Sequence, residues 1–455
     1  MSDSDKSIGF TGRLGFILAM AGSAVGLGNL WRFPYLAAEY GGGAFILTYV
    51  ILAITFGFSL MVAEVCIGRR TGKSCFEAFG SIDKRWRFVG WLAALVPAII
   101  VPYYCVIGGW VTKYFVEYTI GNGDAVNGDF FLGFISSNLP GVFDNPMTWF
   151  LVFVALVVIV VLGGIQKGIE RVSKILMPAL FIMLIGITIF AFTLDGIGEG
   201  LEYYLIPHIE DISAKTILAA VGQLFYSMSL AMGITITYGA YMKKDVNVEK
   251  SARNVSMIDT GAALLAGLLI VPTVVAVGIP IKSGPTLMFI SLPEVFAAMP
   301  AGNFIAAVFF LLVIFAALTS AISLMEALVY VLTEKANMSR YVASAIVTAL
   351  IVGLGTLSCL GFGPLDHITF LTEEQTFLDF FDFISNNILM PIVAILTCIF
   401  IGFVVGTKFI TDEVESSGQF KAKKMFEIMI KWVCPIGLAL VLATGLMDIL
   451  GIMKL

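Results

Sequence analysis

Long apolar runs decide most of what this chain can become. Leu151–Ile165 with its flanks, and Tyr341–Leu360, extend the apolar pattern over stretches of about 18 residues or more, enough for one helix to cross a ~30 Å hydrocarbon layer. Inside such a layer every backbone N–H and C=O must be paired within the protein, which leaves helices and closed barrels. The alternating pattern of barrel strands is missing. Only 13% of the 455 residues are charged and 59% are hydrophobic, against about 25% charged in soluble domains. Mean hydropathy is +0.96. The sequence therefore predicts an all-α membrane protein of about eleven transmembrane helices. They fall near 13–37, 41–68, 88–118, 147–165, 172–194, 214–242, 255–281, 303–333, 341–361, 377–407 and 426–450. The first run continues through glycine and proline to Ala37 with no small-residue cleavage site, so it reads as a span, not a signal peptide.

The connections alternate in charge. One side carries Arg69, Arg70, Lys73, Lys84, Arg85 and Arg87, then Lys167, Arg171 and Lys174, then Lys243, Lys244, Lys250 and Arg253, and later Lys335, Arg340, Lys408, Lys421, Lys423 and Lys424. The other side is acidic, with Asp124, Asp129, Asp195, Glu199, Glu202, Glu373 and Glu374. By the positive-inside rule the N-terminus is expected in the cytoplasm and, with an odd number of spans, the C-terminus outside. The polar connections at 119–146, 195–213 and 283–302 are too short for an independent core. The six cysteines form no CxxC and no pair in an external loop, which argues against a disulfide framework or a zinc site. His208 and His367 fall in external loops, and no Walker loop supports ATP-driven pumping.

Two spans are interrupted. The first reads Ala21-Gly22-Ser23-Ala24-Val25-Gly26-Leu27-Gly28-Asn29, and the sixth reads Ser227-Met228-Ser229-Leu230-Ala231-Met232-Gly233. Taken singly, each is explained by glycines that allow close helix packing. As a matched pair, five spans apart, they point to an inverted-repeat transporter with its site at the midplane. Unwound backbone in hydrocarbon leaves polar groups that need partners. Free carbonyls suit a hard cation such as sodium, and the N–H groups of a half-helix start suit a carboxylate. A zwitterionic amino acid with sodium satisfies both.

At these residues the chain resembles the neurotransmitter:sodium symporter family, in the manner of its bacterial sodium-dependent amino acid transporters. The resemblance is carried by Arg13-Leu14-Gly15-Phe16, AGSAVGLGNLWRFPY (21–35), Glu39-Tyr40-Gly41-Gly42-Gly43-Ala44-Phe45, AVGQLFYSMSLAMGITITYGAY (220–241) and FAALTSAIS (315–323). It implies a five-plus-five inverted repeat, 13–194 and 214–407, with an extra helix at 426–450, and a single transporter domain over the whole chain. It also implies a bacterial inner-membrane symporter for hydrophobic or aromatic L-amino acids that works by alternating access without chloride. The expected partners are the amino acid, two co-transported sodium ions and the bilayer; no nucleic acid and no resident cofactor are expected.

The resemblance further assigns residues. One sodium ion would meet the Ala24 carbonyl, the Asn29 amide, Ser227 and Asp259; a second would meet the carbonyls of Gly22, Val25 and Ala316 and the hydroxyls of Thr319 and Ser320. For these two hydroxyls, bonding to their own helix carbonyls is the plain alternative. The substrate carboxylate would meet the Leu27 and Gly28 N–H groups and the Tyr104 hydroxyl, and its ammonium the carbonyls around Ala24, Tyr226 and Ser227. Its side chain would lie among Ile100, Tyr104, Tyr226, Ser229, Met232, Ser320 and Leu324. A leucine-transporting relative has phenylalanine where Met232 stands, and monoamine transporters have aspartate where Gly26 stands.

Arg32, a lone cation within an apolar span, is costly there and marks a partner or pathway. It matches the family's external gate, with Asp382 opposite and the Tyr104 and Tyr226 rings beneath. Glu334, Tyr241 and Glu326 match the internal gate region, whereas the family's gate arginine and its neighbouring tryptophan are replaced by Ser7 and Phe10, with Lys6 adjacent. A channel would need a ring of charges or a filter, which the sequence lacks, and a sensor would need an output domain. Proton coupling through Asp259 is the remaining alternative.

Overall fold

The computed structural model describes residues 9–137, 141–279, 284–370 and 375–449. Lys6, Ser7, Glu373 and Glu374 lie outside them. The described residues form helices α1 (Arg13–Ala24), α2 (Gly28–Glu39), α3 (Gly43–Thr71), α4 (Cys75–Ile82), α5 (Lys84–Thr119), α6 (Gly128–Ile135), α7 (Pro146–Leu162), α8 (Ile165–Ala191) and α9 (Ile197–Leu205). They continue with α10 (Ala214–Ser227), α11 (Ile234–Ala240), α12 (Val248–Val277), α13 (Leu287–Ala297), α14 (Gly302–Lys335), α15 (Arg340–Leu360), α16 (Phe377–Val404), α17 (Lys408–Glu415) and α18 (Lys423–Met447). No strand occurs among the described residues.

Eight of these helices (α3, α5, α8, α12, α14, α15, α16 and α18) are long and apolar enough to cross a bilayer, and the pair α1 and α2, bent by 54°, makes a ninth. The other two of the eleven expected spans are α7, which is 17 residues long, and α10 with α11, interrupted between Ser227 and Ile234. The connection at 283–302 departs from expectation. Within it α13 folds as an apolar helix, and its first turn buries Phe289 against Trp110, Tyr114, Phe131 and Phe310. The -Leu287-Met288-Phe289-Ile290- run is too short to span, yet apolar enough to pack onto the bundle.

The bundle is built around α5 and α14, which pack along their lengths, with α1 and α8 against α14 and α11 against α3. Pro97 and Pro102 lie inside α5; neighbouring helices and local adjustment make such prolines tolerable in membrane helices. The α3–α11 contact depends on two glycines. A Cβ on Gly68 would lie 1.8 Å from the Ile236 carbonyl oxygen, and one on Gly239 would lie 2.3 Å from that of Val65. Small residues allow this backbone approach where water supplies no hydrophobic drive between helices. It fixes where α11 begins, and so where the second interruption sits.

Candidate functional site

Both interruptions are real breaks in the helical backbone. Between α1 and α2, Val25 turns extended (φ −72°, ψ 99°). Between α10 and α11 the chain runs through six residues, Met228–Gly233, with positive φ at Ser229 (53°), Ala231 (57°) and Gly233 (71°). The left-handed region costs L-residues with a side chain about 1 kcal/mol or more, so two such residues together need outside support. Glu64 of α3, itself buried, supplies it. It accepts from the Ala231 N–H at 2.9 Å and from the Thr235 hydroxyl, so a carboxylate sits at the N-terminal end of α11, where the helix dipole favours it. The breaks are also joined to each other: Ser229 Oγ donates to the Ser23 carbonyl oxygen at 2.9 Å.

Between the breaks lies a cavity lined by Ser23, Ala24, Gly26, Leu27, Gly28, Ile100, Tyr104, Tyr226, Ser227, Ser229, Met232, Ile234, Ser320 and Leu324. All eleven residues expected to surround a substrate line it. Ser23 and Ile234 were not anticipated. Ser23 belongs to the -Gly22-Ser23-Ala24- stretch, whose small residues gave a signal; Ile234 opens α11, and nothing in the local sequence separates it from packing residues. The cavity is small, about 30 Å³, so its walls are close. The Leu27 N–H donates to the Tyr104 hydroxyl at 3.3 Å, which brings two of the groups expected to hold a carboxylate together at one end. A Cβ on Gly26 would lie 2.8 Å from Ser320 Oγ and 2.9 Å from the Tyr104 hydroxyl, so this wall has no room for a larger residue.

Beside the cavity, Asn29, Ser227 and Asp259 meet. Asn29 Nδ2 donates to Asp259 Oδ1 at 2.8 Å, and Ser227 Oγ donates to the same carboxylate at 3.0 and 3.1 Å. Asp259 is wholly buried, and no cation lies within 4.0 Å of it among the described residues. Asn247 caps α12, accepting from the Lys250 N–H at 2.8 Å, so Asp259 stands in mid-helix and is not a capping residue. Gln223, absent from the sequence reading, donates to the Gly28 carbonyl oxygen at 2.9 Å and steadies the first break from α10.

Of the second expected ion set, Gly22, Ala316, Thr319 and Ser320 meet. A Cβ on Gly22 would lie 3.2 Å from Thr319 Cβ, and Val25 and Ala316 are buried. Ser320 Oγ donates to the Ser23 carbonyl oxygen at 3.0 Å and approaches that of Gly22 at 3.4 Å. Thr319 Oγ1 donates within its own helix, to Phe315 at 2.9 Å and Ala316 at 3.1 Å. For Thr319 the back-bonded geometry is the one present.

The residues expected at the gates are arranged differently in detail from expectation. Arg32 and Asp382 form no direct ion pair. Arg32 lies over the Tyr226 ring, 5.4 Å from its centroid, while Asp382 accepts from the Tyr103 hydroxyl at 3.0 Å and from Asn386 Nδ2 at 2.6 Å. Tyr226 is thus beneath Arg32 as expected, but the tyrosine that touches Asp382 is Tyr103; the hydroxyl of its neighbour Tyr104 points to Leu27. At the other end Tyr241 donates to Glu326 at 2.9 Å and Arg340 pairs with the same carboxylate. Glu334 stands apart from them, accepting from the Ser74 N–H at 2.7 Å and pairing with Lys73 at 3.1 Å. Eight residues separate Glu326 from Glu334, more than two helical turns, which sends the two carboxylates to different partners.

Comparison with known proteins agrees with this geometry. The family model described as the sodium:neurotransmitter symporter family matches residues 8–121 and 136–453. The chain is 34% identical, over 99% of both sequences, to an uncharacterized sodium-dependent transporter of Bacillus subtilis, YhdH. It is 25% identical to the human sodium- and chloride-dependent GABA transporter 2, over 89% of this chain and 74% of that one. Among solved structures, MhsT in complex with L-phenylalanine superposes with a TM-score of 0.86 at 34% identity, covering 96% of this chain and 99% of the other. The broken helices and the match along nearly the whole length lead to one conclusion: the chain belongs to the sodium:neurotransmitter symporter family and is a sodium-dependent membrane transporter, not an enzyme.

Proposed function

We propose that the protein imports hydrophobic or aromatic L-amino acids together with two sodium ions, by alternating access and without chloride. The observation that carries this reading is the buried Asp259 carboxylate, which joins Asn29 of the first break to Ser227 of the second beside the cavity. A carboxylate with no cation of its own bears a heavy desolvation cost at such depth, and a sodium ion bound among these oxygens would offset it. The Leu27 N–H and the Tyr104 hydroxyl would then hold the substrate carboxylate, with the first sodium ion beside it. Carbonyls around Ala24, Tyr226 and Ser227 would take the ammonium. The apolar walls Ile100, Met232, Ile234 and Leu324 favour an apolar side chain, and the solved relative with bound L-phenylalanine supports the same substrate class. The second sodium ion would lie among Gly22, Val25, Ala316, Thr319 and Ser320.

In this reading the chain is one transporter domain of eleven spans, with inverted repeats at 13–194 and 214–407 and an added helix at 426–450. It sits in a bacterial inner membrane with its N-terminus in the cytoplasm and its C-terminus outside. The paired breaks are what such a repeat requires, since each half contributes one interrupted helix to a midplane site. Arg32 and Asp382 close the outer side, and Tyr241 with Glu326 and Glu334 the inner. Proteoliposomes test the whole proposal. Uptake of phenylalanine or leucine should depend on an inward sodium gradient and survive replacement of chloride by gluconate. Uptake driven equally by a proton gradient in sodium-free buffer would overturn it.

A further inference from the structure

At the basic end of the bundle, many of the described cations pair with a carboxylate. Lys73 meets Glu334, Arg87 and Lys335 meet Glu77, Arg340 meets Glu326, Lys244 meets Glu413, Arg253 meets Glu249 and Lys174 meets Glu170. Arg13, Lys167, Arg171 and Lys250 do not: all four are exposed, and none has a carboxylate within 4.0 Å among the described residues. They occupy the first two turns of α1, α8 and α12, three helices that pack on one another. The generic bias toward basic residues on one side of a membrane explains their sign. It does not by itself bring four of them together at the starts of three mutually packed helices, beside the segment that enters the bundle. Other unpaired cations, such as Lys84, Lys408 and Lys424, sit on other helices.

These three helix starts also hold the segment that enters the bundle. Gln166 donates to the Gly9 carbonyl oxygen at 2.8 Å, the Thr11 N–H donates to Glu170 at 2.8 Å, and Lys243 donates to the Thr11 carbonyl oxygen at 2.7 Å. The Asn254 amide, oriented to satisfy both neighbours, accepts from Arg13 at 3.3 Å and donates to the Lys250 carbonyl oxygen at 3.1 Å. Deeper along the same helices the exposed residues turn apolar: Leu14 is 62% exposed, Ile175 61% and Met257 63%. Lys250, Arg253 and Met257 follow i, i+3, i+7 spacing and share a helix face, as do Arg171 and Ile175. A free inorganic anion has no use for the apolar half of this surface, whereas a phospholipid matches cation and apolar row together.

We propose that the first two turns of α1, α8 and α12 form a docking surface for an anionic phospholipid headgroup, with its acyl chains along Leu14, Ile175 and Met257, and that the bound lipid clamps residues 9–13 against the bundle. Basic residues near an anionic membrane surface each add an increment of attraction, and the apolar residues fix the depth. The surface rests on the proposed orientation only for the leaflet it would face.

The test uses the full chain in nanodiscs of phosphatidylcholine, alone or with about one-third phosphatidylglycerol, and reads hydrogen exchange across residues 9–24. Phosphatidylglycerol should slow exchange there roughly fivefold per cation engaged. The triple variant Arg13→Gln, Arg171→Gln, Lys250→Gln should lose that slowing, and Arg171→Gln alone should lose part of it. The control variant Lys84→Gln, Lys408→Gln, Lys424→Gln, which removes the same charge elsewhere, should keep it. Equal exchange in both lipids, an equal loss in the control, or the same slowing by inorganic phosphate in phosphatidylcholine would each overturn the proposal. Nanodiscs present both leaflets alike and no substrate is needed, so failure here is separate from failure of the transport reading.

Discussion

Asn29 Nδ2 donates to Asp259 Oδ1 at 2.8 Å, tying the break in the first span to the middle of α12. The same carboxylate accepts from Ser227 at the end of α10, so three helices converge on one buried charge. If that charge holds sodium, Asp259→Asn should weaken sodium activation of uptake while the protein still folds. Hydrogen bonds to charged groups contribute about 1.5–3 kcal/mol, which corresponds to a roughly 10- to 150-fold rise in the sodium concentration for half-maximal uptake. Unchanged sodium activation in the folded variant would remove Asp259 from the ion site.

Met232 lies in the second break, between the left-handed Ala231 and Gly233, and lines the cavity with Ile100 and Leu324. Its unbranched thioether can shift rotamer to admit a ring. In so small a cavity, a large side chain needs that adjustment. Met232→Phe should therefore penalise tryptophan and tyrosine more than leucine or valine, by about 1–3 kcal/mol. Competition assays across these four amino acids would show it, and equal losses for all would separate Met232 from the side-chain pocket.

The cavity was readable from sequence because the motifs that form it are contiguous. Residues 22–29 and 226–233 each bring several wall residues at once, and their helix-breaking character shows in glycine and serine content. Residues that act through a single contact were not readable. Glu64 lies within an apolar helix with no motif around it; only the fold shows it beneath Ala231 and Thr235. Tyr103 and Tyr104 are adjacent, and which faces Asp382 depends on the rotation of α5, which periodicity does not fix. Nor does composition reveal that Glu326 and Glu334 take different partners, because that depends on where Ser74 and Arg340 arrive from elsewhere in the chain.

Phe10 replaces the tryptophan of the family's inner latch, yet it is buried and packs edge-on against Phe16 at 5.8 Å, Tyr238 at 5.4 Å and Tyr241 at 6.3 Å. The Phe10 N–H donates to the Tyr241 carbonyl oxygen at 3.2 Å. This aromatic box should keep the inner side closed. Burying a phenylalanine contributes about 3–5 kcal/mol relative to alanine, so Phe10→Ala should free the segment and speed hydrogen exchange in residues 13–24. Phe10→Trp should preserve protection. Unchanged exchange in Phe10→Ala would show that Thr11 and its partner Glu170 suffice without the ring.

Arg32 and Asp382 are held by separate partners, Arg32 over Tyr226 and Asp382 by Tyr103 and Asn386. The two charges still act on each other across the gap, but without a direct ion pair the cost of replacing either should fall below the roughly 3–5 kcal/mol of breaking a buried pair. Arg32→Ala and Asp382→Asn should remain folded, bind substrate at equilibrium much as before and exchange it faster. Thermal stability, equilibrium binding and counterflow measured together test this. A variant that is unstable but transports normally in its folded fraction would point to a structural role.

The proposed chloride independence rests on two positions in α12, Asp259 and Ala263, where chloride-dependent members of the family carry asparagine and serine. Both are fully buried, four residues apart on one helix face. With Asn247 capping the helix, capping does not account for Asp259. Its fixed charge can do beside sodium what a bound anion does elsewhere. Uptake should then be the same in chloride and gluconate. The double variant Asp259→Asn, Ala263→Ser removes the charge and adds a hydroxyl donor, so its sodium activation should weaken and recover with added chloride. A strict chloride requirement in the unmodified protein would overturn the assignment whatever the variant does. If the variant loses sodium activation and chloride fails to restore it, Asp259 still serves the ion, but Ala263 is not where the anion would sit.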